Sequence, residues 1–121
     1  MNILVIDDEM LSLGLLTDLV AREMPEEKIF PFTSPVDAIE FAKESPCSAV
    51  FLDIHMREMN GIQTAKVLRE SNPDIKIIFV SSDPQLQDMV TDIPGNSYFV
   101  KPITSANIAT VVNKYELLSA S

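Results

Sequence analysis

Residues 3–9 read ILVIDDE, four apolar residues followed directly by three acids. So short a run, rich in β-branched side chains, predicts a strand that is buried on both faces of a sheet. Similar apolar runs recur at residues 49–52 and 75–80, and shorter ones at residues 29–32 and 98–100 predict outer strands. The sequence therefore predicts five strands, three of them deeply buried.

Helical patterns separate these five runs. Residues 10–24 and 61–71 predict helices, and the Ser-Pro pair at residues 34–35 is a typical helix start. Residues 85–93 predict a short fourth helix, and Thr104 caps a fifth. Strands that alternate with helices form a parallel sheet covered on both faces, and right-handed crossovers favour an open, doubly wound sheet. The predicted fold is α/β, flavodoxin-like, with a five-stranded parallel sheet in the order 2-1-3-4-5.

Composition limits the classes of protein to which the chain can belong. Its 121 residues suit one domain, and 46% hydrophobic with 22% charged residues is typical of a globular protein. The net charge of -9 disfavours direct binding to nucleic acid or to an anionic membrane. The single cysteine, Cys47, excludes an internal disulfide bond and a thiolate zinc site. With no signal-peptide pattern and no apolar run of about 20 residues, a cytoplasmic protein is expected.

Polar side chains stand at the carboxyl ends of four predicted strands, where open α/β sheets bind their ligands. Asp7 and Asp8 follow the first strand, and Asp53 follows the third. Ser81 ends the fourth strand and Lys101 follows the fifth. If the first and third strands are neighbours, the three carboxylates converge, and an oxygen-only cluster of this kind suits Mg²⁺. A pair of acids in a loop is more often simply solvated. The prediction of a Mg²⁺ site therefore depends on the placement of all these side chains at successive strand ends.

The same groups predict phosphoryl transfer. Asp53 would attack phosphorus as a nucleophile and carry an acyl phosphate. Lys101 and Mg²⁺ would neutralise charge on the phosphoryl oxygens, and the Ser81 hydroxyl would donate a hydrogen bond to one of them.

The order of four segments resembles the receiver domain of bacterial two-component response regulators. The matching segments are residues 3–9, residues 51–56 with Gly61, residues 77–82 and residues 98–102. The resemblance covers essentially the whole chain, so that residues 1–121 are expected to form one receiver domain without an output domain. It implies that a sensor histidine kinase is the partner that phosphorylates Asp53.

The resemblance also implies a set of Mg²⁺ ligands. Asp8 would bind the ion directly and Asp7 largely through water, while Asp53 and the backbone carbonyl of His55 would complete the protein ligands. In such domains the bond between Lys101 and the proline that follows it is typically cis.

Further roles follow from the resemblance. Ser81 would be the switch hydroxyl, Lys101 the phosphate-binding lysine and Tyr98 the aromatic switch. Side chains at the positions of His55 and Asp83 would flank the phosphoryl group and tune its hydrolysis. The signalling surface would be the fourth helix, fifth strand and fifth helix, which would contact an effector domain or a downstream protein.

The sequence departs from the family pattern in two places. The family usually has a proline after the methionine of its Asp-x-x-Met segment, where this chain has Arg57, although no atom of the predicted site is lost. Residues 83–96 are shorter and richer in proline than usual, so the fourth helix is expected to be short or displaced. The strands around Asp53 and Ser81 look most like receivers attached to LytTR-type DNA-binding domains, which suggests transcription regulation; dimerisation is left open.

Three alternatives to a phosphorylated receiver were considered. A haloacid-dehalogenase-like phosphatase needs Asp-x-Asp, and His55 occupies the place of the second acid. A flavodoxin-like FMN carrier needs a Ser, Thr or Gly phosphate loop where this chain has Asp-Asp-Glu. Both are disfavoured. A receiver-like protein-interaction module that works without phosphorylation is disfavoured by the intact Asp53, Ser81 and Lys101 but stays open.

Overall fold

Five parallel strands form the centre of the protein in a computed structural model, which describes residues 1–115 and, at Tyr115, the backbone alone. The strands are β1 (Asn2–Ile6), β2 (Lys28–Phe32), β3 (Ala49–Leu52), β4 (Lys76–Ser81) and β5 (Asn96–Val100). They pair in the order β2-β1-β3-β4-β5, so the predicted doubly wound sheet and its strand order are confirmed. All the carboxyl ends therefore lie at one edge of the sheet, with β1 and β3 adjacent.

Helices connect the strands on both faces of the sheet. Among residues 1–115 they are α1 (Met10–Glu23), α2 (Pro35–Glu44), α3 (Gly61–Ser71), a 3-10 helix (Pro84–Val90) and α4 (Ser105–Tyr115). The α2 and α3 starts carry the caps that the sequence favours. The Ser34 hydroxyl accepts a hydrogen bond from Asp37 N at 3.2 Å, and Asn60 Oδ1 accepts one from Gln63 N at 2.9 Å.

The core lies on both faces of the three central strands. Alternate residues of β1, β3 and β4 point to opposite faces, so each strand contributes to two apolar clusters. One cluster packs against α2 and α3, and the other packs against α1 and α4. Cys47 is buried in the first cluster, where it packs as a small apolar side chain. No helix within residues 1–115 is both long and apolar enough to cross a membrane.

Between β4 and β5 the structure has a short fourth helix, as the sequence predicts, but its type and the start of β5 differ from the prediction. The predicted fourth helix is a 3-10 helix of seven residues that begins at Pro84, with Asp83 as its cap. Gly95 follows with φ +66°, a conformation that glycine adopts without strain. β5 then starts at Asn96, two residues before the predicted strand, because Asn96 pairs with Ile77 of β4. The expectation of a short or displaced fourth helix is thus confirmed.

Candidate functional site

Asp53 lies directly after β3 at the carboxyl edge of the sheet. Its main chain continues the ladder, since Asp53 N donates to the carbonyl of Ile6 at 3.1 Å. Its Oδ1 accepts a hydrogen bond from Ile54 N at 2.8 Å, and its Oδ2 lies 3.4 Å from Lys101 Nζ. Only 9% of the residue is exposed. The carboxylate is therefore buried, with one oxygen bound to the main chain and the other facing an ammonium group.

Lys101 follows β5 and brings its charge to the same point. Its Nζ donates to Asp7 Oδ2 at 2.9 Å and to Ser12 Oγ at 2.8 Å, besides the contact with Asp53. Its main chain is fixed as well, because Lys101 N donates to the carbonyl of Ser81 at 2.8 Å and the following bond to Pro102 is cis, as the resemblance predicted. One ammonium group thus partly balances two buried carboxylates.

Burial and charge set the protonation equilibria of this pair. Burial raises the pKa of Asp53, the charge of Asp7 raises it further, and Lys101 opposes both without cancelling them. Burial lowers the pKa of Lys101, but its hydrogen bond to Asp7 and the charges of both carboxylates outweigh burial, so that pKa is raised. The ammonium therefore keeps its proton, and the Asp53 carboxylate is left poorly solvated and more basic than an exposed one.

Asp8 does not join the other two carboxylates at Lys101. Its Oδ2 accepts a hydrogen bond from Arg57 N at 2.9 Å, and Arg57 Nε lies 3.5 Å from the same oxygen. Within residues 1–115, no group of three or more His, Cys, Asp or Glu side chains is arranged to hold a metal ion. The donor set still fits Mg²⁺, because Asp7, Asp8 and Asp53 offer only oxygen atoms and stand after adjacent strands.

Ser81 and Tyr98 are linked through one residue. Ser81, fully buried at the end of β4, accepts a hydrogen bond from Asp83 N at 3.2 Å through its Oγ. The Tyr98 hydroxyl donates to the carbonyl of Asp83. Asp83 Oδ1 in turn accepts from Gln85 N at 2.9 Å in the first turn of the 3-10 helix. His55 lies exposed in the loop after β3.

Two contacts at the site were missed by sequence reasoning. Ser12 was not singled out, although it lies in the first turn of the helix that follows the acidic pair and so must stand near the carboxyl edge. Arg57 was recognised as a departure from the family pattern, but its main-chain contact with Asp8 has no signature in the sequence.

Comparison with known proteins identifies the family and agrees with the fold. Residues 3–113 match the sequence profile of the response regulator receiver domain. The chain is 29% identical over 116 residues to the sensory transduction protein LytT of Bacillus cereus, a match that covers 96% of this chain and 47% of that protein. It is also 29% identical over 115 residues to the chemotaxis protein CheY of Thermotoga maritima, covering 93% of this chain and 95% of that protein.

Solved structures give the same fold. A response regulator receiver protein from Sinorhizobium medicae has a TM-score of 0.81 at 28% identity, with 94% of this chain and 92% of that chain covered. The response regulator TrrA from Thermotoga maritima, solved in complex with Mg²⁺-BeF, has a TM-score of 0.82 at 24% identity, with coverage of 94% and 97%.

The protein is therefore a receiver domain of the two-component signalling class. The chain belongs to the response regulator receiver domain family. It spans about half the length of the LytT proteins that it matches, 47% in the Bacillus cereus case.

Proposed function

We propose that this chain accepts a phosphoryl group on Asp53 from a phosphohistidine of a sensor histidine kinase. The observation that carries the proposal is the ammonium of Lys101, which lies 2.9 Å from Asp7 Oδ2 and 3.4 Å from Asp53 Oδ2 at a buried strand end. An oxygen of Asp53 forms a bond to phosphorus while the phosphorus–nitrogen bond to the donor imidazole breaks. The imidazole keeps the bond electrons and takes up a proton from solvent.

Residues of this chain supply most of the required electrostatics. Lys101 shifts from its two carboxylates to a phosphoryl oxygen, since the phosphorylated Asp53 offers three strong acceptor oxygens. Asp8 would bind Mg²⁺ directly, Asp7 largely through water, and Asp53 with the His55 carbonyl would complete the set. When bound, Mg²⁺ neutralises charge on the transferred group.

The link through Asp83 supplies a route from the site to the surface. The Ser81 hydroxyl turns to donate to a phosphoryl oxygen and releases the N–H of Asp83. The Tyr98 hydroxyl is bound to the carbonyl of Asp83, so a movement of Asp83 changes the position of Tyr98. Coupling of this kind is typically about 1–3 kcal/mol, or roughly 5- to 150-fold in partner affinity. The responding surface is the 3-10 helix, β5 and α4. His55 and Asp83 flank the site and tune hydrolysis of the acyl phosphate.

The partners follow from this role. The kinase is the phosphodonor, and the responding surface contacts an effector domain or a downstream protein in the cytoplasm. The chain spans 47% of LytT and 48% of the transcriptional regulatory protein YpdB of Escherichia coli, which supports an output domain linked to transcription. Net charge argues against direct nucleic acid or membrane binding by this chain.

Mass spectrometry tests the proposal directly. The protein is incubated with Mg²⁺ and acetyl phosphate, and its intact mass is recorded, with an amide NMR spectrum in beryllofluoride as a second readout. We expect one phosphate adduct that Asp53→Asn abolishes and that the matched exposed change Asp88→Asn preserves. Amide shifts should extend to Ser81 and Tyr98.

A folded protein with no adduct and no beryllofluoride shifts would overturn the proposal. The alternative, an interaction module that works without phosphorylation, would then be favoured. Its partner would bind equally well to wild type and Asp53→Asn.

A further inference from the structure

Arg57 contacts the carboxylate of Asp8 in two ways. Its main-chain N–H donates to Asp8 Oδ2 at 2.9 Å, and its guanidinium Nε lies 3.5 Å from the same oxygen. The two residues are 49 positions apart in the chain, so the contact joins the loop after β3 to the loop after β1. No proline could make it at residue 57, because proline has neither an N–H nor a charge.

We propose that Arg57 competes with Mg²⁺ for Asp8 and thereby sets the metal affinity of the site. The inference rests on the proposed Mg²⁺-dependent function. Asp8 Oδ2 already accepts a charge-assisted hydrogen bond, and the same oxygen faces a permanent positive charge. A divalent ion that binds Oδ2 displaces this hydrogen bond, and an ion at either oxygen of Asp8 is repelled by the guanidinium charge.

Charge balance at the site shows why Asp8 has this partner. Lys101 contacts Asp7 and Asp53, whereas Asp8 is not among its partners. Arg57 thus supplies to Asp8 the compensation that Lys101 gives to the other two carboxylates. In the metal-free protein this arrangement lowers the repulsion between the three acids, and the same stabilisation opposes metal binding.

The main-chain N–H contributes more to this competition than the guanidinium. The Arg57 side chain is 92% exposed, and ion pairs in water are weak and screened by salt. The N–H bond is shorter, and it ends on a carboxylate that is 22% exposed, where charge-assisted hydrogen bonds are stronger.

The loop itself is anchored beside Arg57. The Ser34 hydroxyl donates to Glu58 Oε1 at 2.7 Å, and Gly61 N donates to the carbonyl of Ile54 at 2.8 Å. Because the loop is held at both points, we expect an ion that binds Asp8 Oδ2 to turn the carboxylate away from Arg57 rather than move the loop.

The test compares the Mg²⁺ dissociation constants of four proteins by amide NMR titration: wild type, Arg57→Ala, Arg57→Pro and Lys66→Ala. Arg57→Ala removes the guanidinium and should tighten Mg²⁺ binding about twofold. Arg57→Pro also removes the N–H and should tighten it about tenfold. Lys66, exposed on α3, is the matched control for loss of one positive charge and should change the constant less than Arg57→Ala does.

Hydrogen exchange at the Arg57 amide is a second measurement, and it needs only the wild-type protein. In wild-type protein we expect this amide to exchange slowly without metal and faster with saturating Mg²⁺.

The possible outcomes separate this inference from the proposed function. If wild type binds Mg²⁺ but both Arg57 variants match Lys66→Ala, and Arg57 exchange is unaffected by the ion, the competition is refuted and the function stands. If no protein binds Mg²⁺, both fail. If Arg57→Pro is unfolded by thermal melting, Arg57→Ala and the exchange measurement decide.

Discussion

Burial of the Asp53 side chain disfavours the charged form of its carboxylate. The carboxylate is almost enclosed, Asp7 lies beside the same ammonium, and the pKa of Asp53 is raised chiefly by burial. A raised pKa means that the folded protein holds this group in its charged form less favourably than the unfolded chain does. The buried, charged carboxylate of Asp53 therefore lowers the stability of the folded protein.

Replacing Asp53 with Asn should stabilise the protein without divalent ions. The amide oxygen can keep the hydrogen bond from Ile54 N, and the buried charge is removed. Between the unfolded and folded pKa values the folded wild type binds more protons, so wild-type stability rises as the pH falls through the folded pKa. The gain from Asp53→Asn is thus largest at neutral pH and shrinks toward acid. Urea unfolding in EDTA at neutral and mildly acidic pH measures it.

The exposed substitution Asp88→Asn serves as the control for this measurement, and it should change stability little at either pH. An Asp53→Asn protein that is less stable than wild type at neutral pH would contradict the argument. So would a gain that stays constant across the pH range.

Residues of the candidate site were predictable where their position follows from a strand end. Asp53 and Lys101 come directly after short apolar runs, and the structure brings them together. The turn of Asp8 toward Arg57 was not predictable, because any residue except proline offers a main-chain N–H. The contact of Ser12 with Lys101 depends on how α1 is rotated over the sheet, which is a property of packing.

Among the elements, α3 begins at a residue that leaves no room for a side chain. A Cβ built on Gly61 would overlap the carbonyl oxygen of Asp53 and would lie 2.8 Å from the Cα atom of Ile54. Backbone cannot move aside as a flexible side chain can. The first residue of α3 thus packs directly against the segment that holds the candidate phosphoacceptor.

Gly61→Ala should destabilise the protein by about 3 kcal/mol, the upper part of the usual range for overpacking. Gly14 is the matched control: it lies within α1, and a Cβ there meets nothing within 4 Å. Gly14→Ala should therefore stabilise by roughly 0.5–1 kcal/mol, since alanine loses less backbone entropy in a helix. Equilibrium urea unfolding compares the two. If both substitutions changed the free energy of unfolding equally and in the same direction, the contact between Gly61 and the Asp53 backbone would not be rigid.

The elements also mark where sequence reasoning lost accuracy. The long, periodic helices and buried strands were predicted within a few residues, because their apolar spacing reflects burial. Residues 85–93 predict a short fourth helix, and the structure has a 3-10 helix at Pro84–Val90. Its proline and short length favour a 3-10 helix, and Asn96 is drawn into β5 by pairing with β4, a contact distant in sequence.

At the scale of the whole molecule, stability should be graded from the middle of the sheet outward. The strands β1, β3 and β4 are almost completely buried and each pairs on both sides, whereas the 3-10 helix is mostly exposed. Amide hydrogen exchange should therefore be slowest in β1, β3 and β4, where it requires global unfolding. The 3-10 helix should exchange by local opening. Comparable protection at Ile78 and Gln87 would contradict this gradient.

The strand order has a consequence for how the site comes into being. The contact between Lys101 and Asp7 joins residues 94 positions apart. It forms only when β5, the last of the five strands, has joined the sheet that β1 begins. A nascent chain that has not yet reached β5 has no Lys101 to place beside Asp53. The proposed phosphorylation would therefore become possible only after the last strand has joined the sheet, so the reaction would report that folding has reached this stage.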